Sequence, residues 1–145
     1  MAVIDTNDNT INSIDMLKAK GVTAVGRYYR KHNHPEWGLT KAEAQKLSQA
    51  GIKIFTVYEE TGSTDLALTK EQGASHGSNA LEQAEHVGQP HGTAIYFAVE
   101  GLPDGYKHGD LPEIRKYFEG VKASIGDKYN DNYEDRNAFA CMAPP

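Results

Sequence analysis

The feature that most constrains this chain is an alternation. Short apolar runs rich in β-branched and aromatic residues are each followed by a helix-patterned segment that stops at glycine. The clearest run is Thr93-Ala94-Ile95-Tyr96-Phe97-Ala98-Val99-Glu100, which ends on a carboxylate and turns into Gly101-Leu102-Pro103-Asp104-Gly105. Such a run reads as a parallel strand with helices covering both faces, because it leaves no room for polar alternation. Further strands are expected at residues 2–4, 23–29 and 52–58. Between them, Ile14 and Leu17 lead to Gly21, Ala44, Leu47 and Ala50 to Gly51, and Ala74, Ala80, Leu81 and Ala84 to Gly88. A last helical face carries Ile114, Tyr117, Phe118, Val121 and Ile125 before Gly126. Thr40-Lys41-Ala42-Glu43 and Thr69-Lys70-Glu71-Gln72 have the capping-box pattern that opens a helix. Strand and helix in alternation imply an α/β fold of (βα) repeats with parallel strands and right-handed crossovers.

At 145 residues the chain suffices for one packed domain but is short for a full eight-stranded barrel. The division expected is a (βα) portion over residues 1–126 and a polar tail over 127–145. A net charge of −5 without a Lys/Arg cluster argues against a nucleic-acid surface. No apolar run is long enough for a membrane span. The sole cysteine, Cys141, excludes an internal disulfide and leaves the compartment open. Met1-Ala2-Val3-Ile4-Asp5 shows no signal peptide, so action outside the cell would need another route.

The functional signal is the set of acids at strand ends. Asp5, Glu59 or Glu60, and Glu100 each close an apolar run, and working residues of α/β folds sit at that carboxyl edge. Paired carboxyls are what cleavage of a glycosidic bond requires, one to protonate the leaving oxygen and one to serve as nucleophile or base. Alternation along a strand assigns Phe55 and Val57 to the helix side, with Thr56, Tyr58 and Glu60 inside; Glu59 stays in play because parity fails at strand ends. In the last strand, Ile95, Phe97 and Val99 face outward, and Tyr96, Ala98 and Glu100 inward. Arg27 with Tyr28, Tyr29, Tyr58 and Tyr96 would supply a charge partner and sugar-stacking faces near the same edge. His32 and His34 lack a third ligand at metal spacing, and Asp5-x-Asn7-x-Asn9 fails as a calcium loop, since Thr10 and Met16 stand where it needs Gly and Glu. No metal or cofactor is implied.

Ile4-Asp5-Thr6-Asn7, Ala24-Val25-Gly26-Arg27-Tyr28-Tyr29, Gly51-Ile52-Lys53-Ile54-Phe55 and Ile95-Tyr96-Phe97-Ala98-Val99-Glu100 resemble, as an ordered set, the glycoside-hydrolase-like domain of bacterial cell-wall proteins and phage lysins. That family is similar to the family-25 glycoside hydrolases, which are lysozymes. The resemblance covers residues 2 to about 126. It implies a TIM-type barrel, here partial and cut short at its C-terminal side, acting on peptidoglycan. Asp5 and Glu100 match the family's acids of the first and fourth strands. The lysozymes carry Asp-x-Glu at the end of strand four, where this chain has Ala98 for the first acid. A partial barrel leaves open strand edges, so self-association is expected. Two other readings stand beside the hydrolase: a non-catalytic cell-wall-binding domain using the same mouth, and a flavodoxin-like domain binding a small molecule or partner.

Overall fold

The computed structural model describes residues 1–32, 34–59, 68–99 and 112–129. The expected acids Glu60 and Glu100, and the tail beyond Tyr129, lie outside them. The elements run β1 (Ala2–Asp5), α1 (Ile14–Ala19), β2 (Val22–Tyr29), α2 (Lys41–Gln49), β3 (Lys53–Tyr58), α3 (Lys70–Val87), β4 (Ile95–Phe97) and α4 (Pro112–Ile125), with a 3-10 turn at Pro35–Trp37. Both capping threonines work as their pattern foretells: Thr40 Oγ1 accepts from the Glu43 amide at 3.2 Å and Thr69 Oγ1 from the Gln72 amide at 3.1 Å.

The strands are parallel and pair in the order β1-β2-β3-β4. A doubly wound sheet of the flavodoxin type would put β1 inside the sheet and helices on both faces. Here β1 is an outer strand, and among the described residues the helices pack on one face, as in a TIM-type barrel. Leu17 of α1 and Leu47 of α2 pack with Val25 and Ile52 in one cluster. Ala80 and Ala84 of α3 and Tyr117, Phe118 and Val121 of α4 pack with Tyr29, Tyr58 and Phe97 in another. The flavodoxin-like alternative and the expectation of helices on both faces are thereby corrected.

The register sorts side chains between the helix-covered face and the open one. Tyr29, Tyr58 and Phe97 are aligned neighbours under the helices, while Asp5, Gly26 and Phe55 align on the open face, followed by Tyr28, Val57 and Tyr96. Of the inward set expected for β4, Tyr96 takes the open face, and Glu100 lies outside the described residues. For β3 the parity is reversed: Thr56 and Tyr58 point to the helices, where their hydroxyls find Gln89 Oε1 at 3.0 Å and the Asn79 amide at 3.4 Å. Phe55, Val57 and Glu59 take the open face instead.

Helices α3 and α4 pack at backbone distance. A Cβ on Gly73 would overlap the Tyr117 carbonyl, and one on Gly120 would overlap the Lys70 carbonyl, so neither position accepts a side chain. The described start of the expected tail is part of the core: Tyr129 is buried and donates to the Gln89 carbonyl at 3.3 Å.

Beneath the carboxyl edge lies a fully buried ion pair. Arg27 Nε meets Glu43 Oε1 at 2.8 Å and Arg27 Nη2 meets Glu43 Oε2 at 3.2 Å. The same guanidinium donates to the carbonyl of Thr6 at 2.6 Å and, more weakly, to that of Gly38 at 3.4 Å. Glu43 Oε1 also accepts from the Thr10 amide and hydroxyl, each at 2.7 Å. Glu43 therefore does not reach back to its own cap as the capping-box pattern expects. Removing one member of such a pair strands the other in a dry site, at a cost of about 3–5 kcal/mol. Urea denaturation should show that loss for Glu43→Ala, whereas Arg27→Met with Glu43→Leu should recover most of it.

Candidate functional site

The site forms on the open face where β1, β2 and β3 end. Asp5 is the last residue of β1 and is exposed. It is held there by the backbone of β2: its in-register neighbour is Gly26, and the Thr6 amide donates to the Gly26 carbonyl at 3.2 Å. Gly26 is required for close approach. A methyl at this position would collide with the Phe55 ring and stand 2.9 Å from Asp5 Cβ.

One turn of the pleat further on, the Tyr28 hydroxyl donates to Asp5 Oδ2 at 2.9 Å. Burial, this hydrogen bond and the charges of Asp5 and Glu59 push the Tyr28 hydroxyl up to about 12, with Arg30 pulling the other way. The phenol thus remains a donor across the physiological range. Glu59 follows β3 and pairs with Arg30 Nη2 at 3.5 Å. The Arg30 guanidinium lies 5.7 Å from the centre of the Tyr28 ring and 5.1 Å from that of Trp37.

Trp37 reaches this position through the turn that precedes α2. Pro35 pre-sets the first residue of the 3-10 turn, and the Trp37 amide bonds to the His34 carbonyl at 3.0 Å. The returning chain is clamped to β2 by a bridge between Tyr28 and Gly38 and by the Leu39 amide, 2.8 Å from the Tyr28 carbonyl. His34 stacks on Trp37 with ring centres 3.9 Å apart and pairs with Glu36 at 2.9 Å.

Of the residues expected at the mouth, the structure brings together Asp5, Tyr28 and Glu59. Tyr96 lies on the same open face, edge-on to Phe55 at 6.5 Å. Arg27, Tyr29 and Tyr58 lie on the opposite side of the sheet. Arg27 serves Glu43, the Tyr29 hydroxyl donates to Gln89 Oε1 at 2.6 Å, and the Tyr58 ring packs on His76 and Phe97. Sequence reasoning missed Arg30 and Trp37. The signal available was the parity Gly26-x-Tyr28-x-Arg30, which places Arg30 on the face that Gly26 leaves open.

A cavity of about 780 Å³ opens at the other end of the strands, beside Ser48, Gln49, Gly88, Gln89 and Thr93. Its central amide is spoken for, since Gln89 accepts from Tyr29 and Thr56 and donates to Thr93 and the Ala94 carbonyl. Among the described residues, no three His, Cys, Asp or Glu side chains gather into a metal-binding group.

Two outcomes are expected. Gly26→Ala should cost about 1–3 kcal/mol by overpacking and displace Phe55 or Asp5, visible as a lowered urea midpoint and altered Asp5 carboxyl resonances. A hydroxyl whose folded pKa is raised stabilises the fold fully below its unfolded value near 10 and loses that contribution as pH climbs through about 12. Tyr28→Phe should therefore fall off less steeply than wild type in a denaturation series across this alkaline window.

Residues 15–137 match the family described as Rv2525c-like, glycoside hydrolase-like domain. The uncharacterized protein YbfG of Bacillus subtilis is 32% identical over 121 residues, which is 80% of this chain and 16% of that protein. The uncharacterized protein FadG of the same organism is 29% identical over 129 residues, 86% of this chain and 22% of that protein. The chain thus spans less than a quarter of the length of these relatives. Among solved structures it is similar to the Mycobacterium tuberculosis Tat-secreted protein Rv2525c in complex with L-tartrate, with a TM-score of 0.64 and 20% identity, covering 80% of this chain and 60% of that one. By the family match, which spans most of its length, the chain belongs to the Rv2525c-like glycoside hydrolase-like domains.

Proposed function

We propose that this domain acts on cell-wall glycan of the peptidoglycan type, using strand-end carboxylates at a glycosidic bond. The observation that carries the reading is the convergence of Asp5 and Glu59 on Tyr28 at the carboxyl edge of adjacent parallel strands. In such a site Asp5 orients the sugar or stabilises positive charge developing at the anomeric carbon. Tyr28, rather than the Arg27 expected from sequence, is the group that meets it. Glu59 or Glu60 supplies a second carboxylate, and Glu100 is assigned as general acid, the role a glycosidase gives to the group that protonates the leaving oxygen. Action as a phage lysin or as a secreted cell-wall enzyme belongs to the same proposal.

A specific observation favours a second reading, a glycan-binding module without catalysis. Ala98 stands at the position where the related lysozymes carry the first acid of Asp-x-Glu, and its amide donates to the Tyr58 carbonyl at 3.1 Å. A methyl group there offers neither proton nor charge.

Release of reducing ends from purified peptidoglycan separates the two. Hydrolysis is expected to fall at least a hundredfold in Glu100→Gln and in Asp5→Asn, the scale on which acid–base groups contribute. Equal release by wild type and both variants would remove the catalytic assignment. Sedimentation with peptidoglycan in the absence of any release would leave the binding module standing.

A further inference from the structure

Arg30 is an uncommon cation. Its side chain is only 7% exposed, yet it comes from the end of β2 and from the beginning of a loop, where long side chains ordinarily extend into water. A guanidinium in such a place must be held, because its rotamer freedom is costly to give up. Two aromatic rings beside it contribute to the hold: Tyr28 comes from the strand itself, and Trp37 is delivered by the 3-10 turn.

We propose that Trp37 is a positioning residue for the acid cluster, holding the Arg30 guanidinium where it faces both Glu59 and Tyr28. Trp37 is not a free stacking platform for a sugar ring. His34 already stacks on it with the planes 10° apart, and Arg30 lies over it as well. His34 opens the turn in the left-handed conformation at φ 53°, a region that histidine enters more readily than most side chains, and from there its ring stacks on Trp37. The chain of contacts then runs His34, Trp37, Arg30, and from Arg30 to Glu59 on one side and Tyr28 with Asp5 on the other. This inference rests on the glycan reading for what the ordered cluster binds, but not for the ordering itself.

The test compares Trp37→Phe, which keeps an aromatic face, with Trp37→Leu, which keeps only apolar bulk. Relaxation of the Arg30 side-chain ¹⁵Nε in the free protein reads positioning directly. Titration with a soluble chitooligosaccharide, a stand-in for the glycan backbone, reads its consequence. Arg30 should be as rigid in Trp37→Phe as in wild type and mobile in Trp37→Leu. Affinity for the oligosaccharide should fall about threefold to fivefold in the leucine variant alone, the size of a partly desolvated cation–π contact. Should Trp37→Leu fail to fold, Trp37→Met replaces it with the same expectation. An Arg30 equally rigid in the leucine or methionine variant and in the phenylalanine variant overturns the positioning role. A wild-type domain that binds no oligosaccharide overturns the glycan reading, and the relaxation comparison then decides the role of Trp37 on its own.

Discussion

The Arg27–Glu43 pair is the interaction on which the upper edge of this domain depends. A guanidinium and a carboxylate with no exposed surface can coexist only if nearly all their hydrogen-bonding capacity is used. Here the remaining capacity is spent on chain segments that carry the site. Arg27 takes the carbonyl of Thr6, the residue after Asp5, while Glu43 takes the amide and hydroxyl of Thr10 further along the same connection. The loop that leaves β1 is thus tied to β2 and α2 by charge-assisted bonds rather than by apolar packing, for which Asn7, Asp8 and Asn9 offer little. Asp5 inherits its direction from this tie.

The fold was legible in the sequence because its signals are local. Glycine after each helix, threonine caps and apolar spacing are properties of a few neighbouring residues, and the element order followed from them. The facing of β3 was not legible in the same way. Its residues Phe55, Thr56, Val57 and Tyr58 are all compatible with either side, since hydroxyls can be satisfied beneath a helix as well as in a mouth. Thr56 and Tyr58 chose the helix side because Gln89 and Asn79 wait there, and those partners come from 33 and 21 residues away. Anchoring the alternation on Ile52 and Ile54 against the exposed Lys53 would have given the observed parity, and with it Glu59.

The site shows the same one-residue offset in β2. The sequence puts Arg27, Tyr28 and Tyr29 near the mouth alike, yet the strand turns Tyr28 and Arg30 to the open face and buries the other two. A buried arginine is indistinguishable from a catalytic one in sequence until its partner is known. Glu43 stood within a capping pattern that explained it fully by local rules, so nothing in the sequence linked it to Arg27. Trp37 sat in a loop with two histidines and a proline, where an indole has no periodicity to declare its direction.

The two described acids meet different partners, and the difference bears on the proposed chemistry. Tyr28 gives Asp5 a neutral donor that keeps its proton up to about pH 12, whereas Arg30 gives Glu59 a permanent cation. In both contacts the partner donates and the carboxylate accepts. A glycosidase needs one carboxyl of the opposite character, able to give a proton to the leaving oxygen. The proposed reading gives that task to neither Asp5 nor Glu59. On the proposed reading the donor must come from the next strand end in the series, where Glu100 follows Val99. With alanine at position 98 and no second acid two residues before it, Glu100 would work without the neighbouring charge that the related lysozymes provide.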